Sequence, residues 1–144
     1  MVLAHGGRFN KESWEKQART LAAAEFRVLA FDFRGYGKSR GPGQSDPMSV
    51  PLHLDVLAAV RYMRTAGAES VSVVGDSMGG GAAGDASIAS RPGEIDRLVL
   101  LGAAPNGPAD KLKSSTLFIL SHDDGPRLPR IREQYMRKLQ NQKS

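Results

Sequence analysis

Residues 71–81 read Val-Ser-Val-Val-Gly-Asp-Ser-Met-Gly-Gly-Gly, and this stretch decides how the rest of the chain is organised. A short β-branched run, Val71, Val73 and Val74, ends at Gly75 and gives way to small residues that continue through Ala82, Ala83 and Ala86. The pattern predicts a strand, a sharp turn at Ser77, and a helix that approaches its neighbours closely enough to need glycine and alanine. Within it, Gly75-Asp76-Ser77-Met78-Gly79 has the G-x-S-x-G form. In that form a serine projects from a crowded strand-to-helix turn, and the crowding demands small residues two positions before and after it. Ser77 then stands at a helix N-terminus, where the dipole and the free N–H groups favour developing negative charge. It is the candidate nucleophile, and the Met78 N–H is a candidate oxyanion donor. Such a turn can also be plain packing or a phosphate cradle. The Lys-Ser/Thr ending of a P-loop and the G-x-G-x-x-G spacing of a dinucleotide site are both missing, which argues against a phosphate role.

Working outward, short apolar runs alternate with amphipathic stretches. Strands are expected over residues 1–4, 27–33, 71–75, 97–101 and 116–120. Helices are expected over 10–24, 49–66, 77–90 and 128–139. The first carries Trp14, Ala18, Leu21 and Ala22 at helical spacing, with Asn10 or Ser13 as its cap. In the second, Pro51 suits the first turn, Leu52, Val56, Val60 and Met63 form the stripe, and Gly67 ends it. The last turns Leu128, Ile131, Tyr135 and Leu139 inward, and a Gly/Pro-rich loop fills residues 34–47. Continuous Val- and Leu-rich strands alternating with helices predict a three-layer α/β/α sandwich around a mostly parallel sheet of about five strands, with ligands at the carboxyl ends of the strands.

At 144 residues and 40% hydrophobic content the chain is read as a single domain over residues 1–144. No apolar run approaches the length of a membrane span, and no signal peptide is visible, so a cytoplasmic protein with no membrane partner is expected. Cysteine is absent, which removes disulfides, thiolate catalysis and Cys-based zinc sites. No metal and no cofactor is expected. The net charge of +5 raises the question of nucleic acid, but residues 1–110 are balanced and the whole excess lies in residues 111–144. Arg127, Arg130, Arg132, Arg137 and Lys138 there accompany no aromatic platform and no nucleic-acid module, so a solvated basic face is expected and no nucleic-acid partner.

Three further segments point in one direction. Leu3-Ala4-His5-Gly6-Gly7 is a strand end followed by His-Gly, Phe31-Asp32-Phe33-Arg34-Gly35-Tyr36-Gly37-Lys38-Ser39 has the form D-x-R-G-x-G-x-S, and residues 116–124 end in Ser121-His122-Asp123-Asp124. With the serine pentapeptide, these resemble the α/β-hydrolase family over nearly the whole chain, on the side of its serine esterases and lipases with a dienelactone-hydrolase-like core. The resemblance implies that the N–H of Gly7, or that of Arg8, is the second oxyanion donor. It also implies that His5 shapes the oxyanion turn, and that Asp32, Arg34 and Ser39 order their loop. The triad acid falls at the end of the last strand, where Asp124 fits the family's spacing from Ser121 and Asp123 is the alternative. The stretch 102–115 is too short for a cap domain, so an open site is expected.

In the family's chain order the histidine follows the acid, after a further strand, and the chain reads as lacking that strand and helix and the usual first strands. Among His5, His53 and His122, the last stands at the correct end of the sheet beside the acid and is the intrachain candidate for the base; His53 reads as a surface or packing residue. A histidine from a second subunit is the other source. Strands 27–33 and 116–120 would form the sheet edges, and bare edges recruit other chains, so a homodimer or higher oligomer is expected. Two functions follow: a carboxylesterase of small, short-chain acyl esters acting through an acyl-enzyme on Ser77, or a non-catalytic hydrolase core used as a binding or assembly module.

Overall fold

The computed structural model describes residues 1–41 and 50–141. Residues 42–47 of the expected loop and Ser49, the expected start of the second helix, lie outside them. Five strands follow one another as β1 (Val2–Ala4), β2 (Leu29–Phe31), β3 (Ser72–Asp76), β4 (Arg97–Leu101) and β5 (Ser115–Ile119). All pair in parallel in the order β2-β1-β3-β4-β5. The strand order reverses beside β1, so the chain runs outward in both directions from the centre of the sheet. Such a switch point opens a crevice at the carboxyl ends of the central strands.

The period of two along each strand sorts side chains between the faces. Val2, Ala4, Val73, Leu98 and Leu100 are buried and join one core with Val56, Val60 and Met63 of α2 (His53–Thr65) and Ala82, Ala83 and Ala86 of α3 (Met78–Ala89). Helix α2 begins at His53, later than its periodicity suggests, and its N-cap Leu52 makes no side-chain capping bond. Its end is as expected. Gly67 adopts φ +90°, Ala68 N–H donates to Met63 O and Gly67 N–H donates to Arg64 O, the paired bonds of a left-handed helix stop. Helix α4 (Leu128–Asn141) turns Ile131 and Gln134 inward, whereas Tyr135 is exposed. Gln134 is buried at the cost of one hydrogen bond, which it makes by accepting from Ala109 N–H at 2.9 Å.

The opposite face is covered unevenly. A 3-10 turn (Lys11–Trp14), capped by the Asn10 side chain, lies against β1 and β2 and leads into α1 (Glu15–Ala23). Trp14 and Leu3 are buried there, but α1 itself buries nothing, and Ala22 is exposed. Moving across this face, Val74 and Val99 are half-buried, and Leu117 and Ile119 of β5 are exposed. The helical covering expected on both faces is therefore complete on one and confined to the β1–β2 end of the other. Strands β2 and β5 are the sheet edges. Among the described residues, no helix is long and apolar enough to cross a membrane.

Candidate active site

Four loops meet at the carboxyl ends of β1, β3, β4 and β5. The β3–α3 turn is the tightest. Ser77 has φ 49° and ψ −113°; among the described non-glycine residues only Glu25 shares a positive φ. Such a backbone costs about 1–3 kcal/mol and persists only where the surroundings enforce it. They do so by steric exclusion. A Cβ on Gly75 would lie 2.5 Å from Gly79 O, and one on Gly79 would lie 2.6 Å from His5 O and meet Ala4 O as well. Both glycines are required because backbone, which cannot rotate away, occupies the space. Ser77 N–H donates to Leu101 O and Ser77 O accepts from Gly81 N–H, each at 3.0 Å, tying the turn to β4 on one side and α3 on the other.

The loop after β1 comes up against this turn. A Cβ on Gly7 would sit 3.4 Å from Met78 Sδ and 3.6 Å from its Cβ. Gly7 N–H has no protein partner among the described residues, and Met78 opens α3, where the first N–H groups have no acceptor within the helix. Behind the loop, His5 is fully buried, with Nδ1 2.9 Å from Gly6 O and Nε2 3.2 Å from Phe33 N. A carbonyl only accepts and an N–H only donates, so the ring is neutral with its proton on Nδ1. Both nitrogens are committed, and Phe33 and Tyr36 pack edge-on against the ring at 5.1 Å. His5 fixes the turn and has no proton to exchange with Ser77.

The loop after β2 is held in the same manner. The Asp32 carboxylate accepts from Lys11 N–H at 2.8 Å and Lys38 N–H at 3.1 Å, and pairs with the Lys11 ammonium at 3.3 Å. Arg34 makes a forked pair with Asp55 at 2.6 and 2.8 Å, and Ser39 O accepts from Gly35 N–H at 2.8 Å. Burial pushes the Asp32 carboxyl up, but the two N–H groups and the ammonium outweigh it and hold its pKa below the ordinary 3.8. A lowered folded-state value means stability that is complete above the ordinary value and lost as pH falls through the folded one. Asp32→Asn should therefore unfold at a lower temperature than wild type at neutral pH, with the gap closing below about pH 4 when Tm is followed by circular dichroism.

At the end of β5, residues 121–124 form a small closed turn. Asp124 Oδ2 accepts from Ser121 N–H at 2.6 Å, and Asp124 N–H donates to Ser121 O at 3.2 Å. This bends the Asp124 side chain toward β4, where Oδ1 would lie 3.3 Å from a Cβ on Gly102. His122 and Asp123 sit at the apex and point outward, their side chains 95% and 94% exposed, with each other as partners at 3.4 Å. The structure therefore does not bring His122 to Ser77, contrary to the sequence expectation. The physical reason is the turn itself: its closing bond faces Asp124 inward and leaves its two middle residues in solvent.

The residue that does reach Ser77 is Arg127, whose Nη1 donates to Ser77 Oγ at 3.1 Å; this is the only polar partner of that oxygen among the described residues. Asp76 lies beside the same group. Burial raises its pKa above the ordinary 3.8, Arg127 opposes the rise, and the Asp124 carboxylate adds to it. Below the turn is a cavity of about 480 Å³ lined by Ser77, Met78, Gly81, Ala82 and Asp85, by residues 50–53, and by residues 102–104, Asn106, Arg127, Arg130 and Ile131. His53, read from sequence as packing or surface, is the one histidine on its wall among the described residues. The sequence puts Arg127 only on a basic helix face, and no local pattern ties it to Ser77, 50 residues away.

Comparison with known proteins places the chain in a family. A non-heme haloperoxidase of Rhodococcus erythropolis is 32% identical over 105 residues, covering 73% of this chain and 37% of its own. A 2-hydroxy-6-oxononadienedioate/2-hydroxy-6-oxononatrienedioate hydrolase of Paraburkholderia phymatum is 35% identical over 112 residues, covering 76% of this chain and 38% of its own. Among solved structures, an esterase from Exiguobacterium antarcticum superposes with a TM-score of 0.59 at 30% identity, covering 72% of this chain and 37% of its own. The chain thus spans little more than a third of the length of these relatives. The sequence pattern of the alpha/beta hydrolase fold matches residues 1–138, and the chain belongs to that family.

Proposed function

We propose that this chain carries the nucleophilic site of a carboxylesterase that cleaves small, short-chain acyl esters through an acyl-enzyme on Ser77. The observation that carries this reading is the enforced backbone of Ser77, which presents a hydroxyl at the N-terminus of α3, with the Gly7 loop packed against Met78. In the reaction, Ser77 Oγ adds to the ester carbonyl and the negative charge moves to the carbonyl oxygen. In this reading the N–H groups of Met78 and Gly7 hold that charge, the contribution that usually dominates acyl transfer. Collapse of the adduct expels the alcohol, which takes up the proton lost by Ser77, and water then releases the acid. Asp124, turned toward the site, is the carboxylate suited to orient an imidazole. A cavity of about 480 Å³ suits a small substrate, and an esterase is among the similar structures.

One observation favours the second reading, a non-catalytic core that binds or assembles. Among the described residues, Ser77 Oγ is hydrogen-bonded to an arginine and to no histidine. Hydrolysis of p-nitrophenyl acetate and butyrate separates the two readings. The esterase reading expects turnover that Asp124→Asn lowers by about 10⁴-fold; a wild-type rate no higher than the uncatalysed background sinks it.

A further inference from the structure

We infer that the Ser77 cavity takes an ester whose acyl part ends in a carboxylate, gripped by Arg127 and Arg130. The inference rests on Ser77 being the reacting atom and adds the class of its substrate. Arg127 ends the short 3-10 turn over residues 125–127 that leads into α4, Arg130 sits in the first turn of α4, and both line the cavity. Neither forms an ion pair with a carboxylate among the described residues, unlike Arg34 and Arg64, which close on Asp55 and Asp96 at 2.6 and 2.8 Å. Arg130 makes only long contacts, Nη2 to Pro105 O at 3.4 Å and to Asn106 Oδ1 at 3.5 Å. These bonds leave most of its donors free.

The charge balance of the cavity points the same way. The acid on its wall is Asp85, and its two oxygens already accept from Asn106 N–H at 2.8 Å, Asn106 Nδ2 at 2.8 Å and Gly107 N–H at 2.9 Å. The unspent donors are therefore the two guanidiniums, whose planar forks match a carboxylate. Around them the wall is apolar: Pro51, Leu52, Ala103, Ala104 and Ile131. A short hydrocarbon chain with a carboxylate at one end and the ester at the other satisfies both features. Since Arg127 touches Ser77 Oγ, the chain between ester and carboxylate must be short. Two guanidiniums set against the Asp85 carboxylate leave one positive charge on the wall, which suits a monoanion better than a phosphate dianion.

Binding to the Ser77→Ala protein tests this without any turnover. Monomethyl glutarate and its neutral counterpart, dimethyl glutarate, are titrated by calorimetry, with inorganic phosphate as a third arm. The half-ester should bind at least tenfold more tightly than the diester, and added salt should weaken it. Arg127→Gln and Arg130→Gln should each weaken the half-ester about tenfold, so that the ratio between the two esters falls toward one. Equal binding of the two esters, an unchanged ratio in both variants, or phosphate binding more tightly than the half-ester overturns the inference. Discrimination by Ser77→Ala in a chain whose wild type hydrolyses no ester would count against the esterase and leave the carboxylate site standing.

Discussion

Ser77→Ala is expected to remove ester turnover almost completely, by about a millionfold if the serine works as the nucleophile of an assembled triad. The substitution keeps the Cβ, so the constrained backbone at φ 49° is undisturbed and the cavity gains only the space of one oxygen. Loss of rate then reports the missing nucleophile and not a collapsed turn. Folding is checked by an unchanged thermal midpoint. A variant that keeps the wild-type rate would place the reacting atom elsewhere. His53, which shares the cavity wall, and His122, which is exposed, offer the matching comparison. Removing His122 should leave whatever rate the chain has, because among the described residues the polar partner of its exposed ring is Asp123.

The largest effect on stability is expected from Gly79→Ala. A Cβ at this position meets the carbonyl oxygens of Ala4 and His5, at and just past the end of β1, which cannot step aside. Relief requires α3 to move off the sheet, and α3 carries much of the buried core. The cost should be about 3 kcal/mol or more, a large part of the stability of a domain this size. Gly67→Ala is the control. Gly67, unlike Gly79, has a positive φ, +90°, but nothing lies within 4 Å of a Cβ there, so the variant costs only backbone strain of about 1 kcal/mol. Comparable urea midpoints for the two variants would show that the turn is looser than described.

The order of elements and the parallel sheet were legible because the strands are short, apolar and evenly separated by helical repeats, and because Gly75 and Gly79 punctuate the turn. Periodicity reports burial against the nearest layer and fails where that layer is missing or polar. Leu117 and Ile119 of β5 look like core residues and are exposed, since nothing described covers them. Tyr135 has the spacing of a buried residue, yet Gln134 takes the inward place through its bond to Ala109 N–H. Within the site, Ser77, Gly7 and Met78 follow from local backbone demands that a motif records. The position of His122 does not, because which member of a tight turn faces inward depends on the closing bond from Ser121 N–H to Asp124. Arg127 lies 50 residues from Ser77, and no local pattern joins them.

Covalent capture tests the central claim most directly. The chain is incubated with a fluorophosphonate ester, which phosphonylates an activated serine irreversibly with loss of fluoride, and the modified peptide is located by mass spectrometry. A single adduct on the peptide carrying Ser77, absent from Ser77→Ala, is the predicted result. An adduct on any other residue, or none at a reagent excess that labels a known serine esterase, contradicts the account.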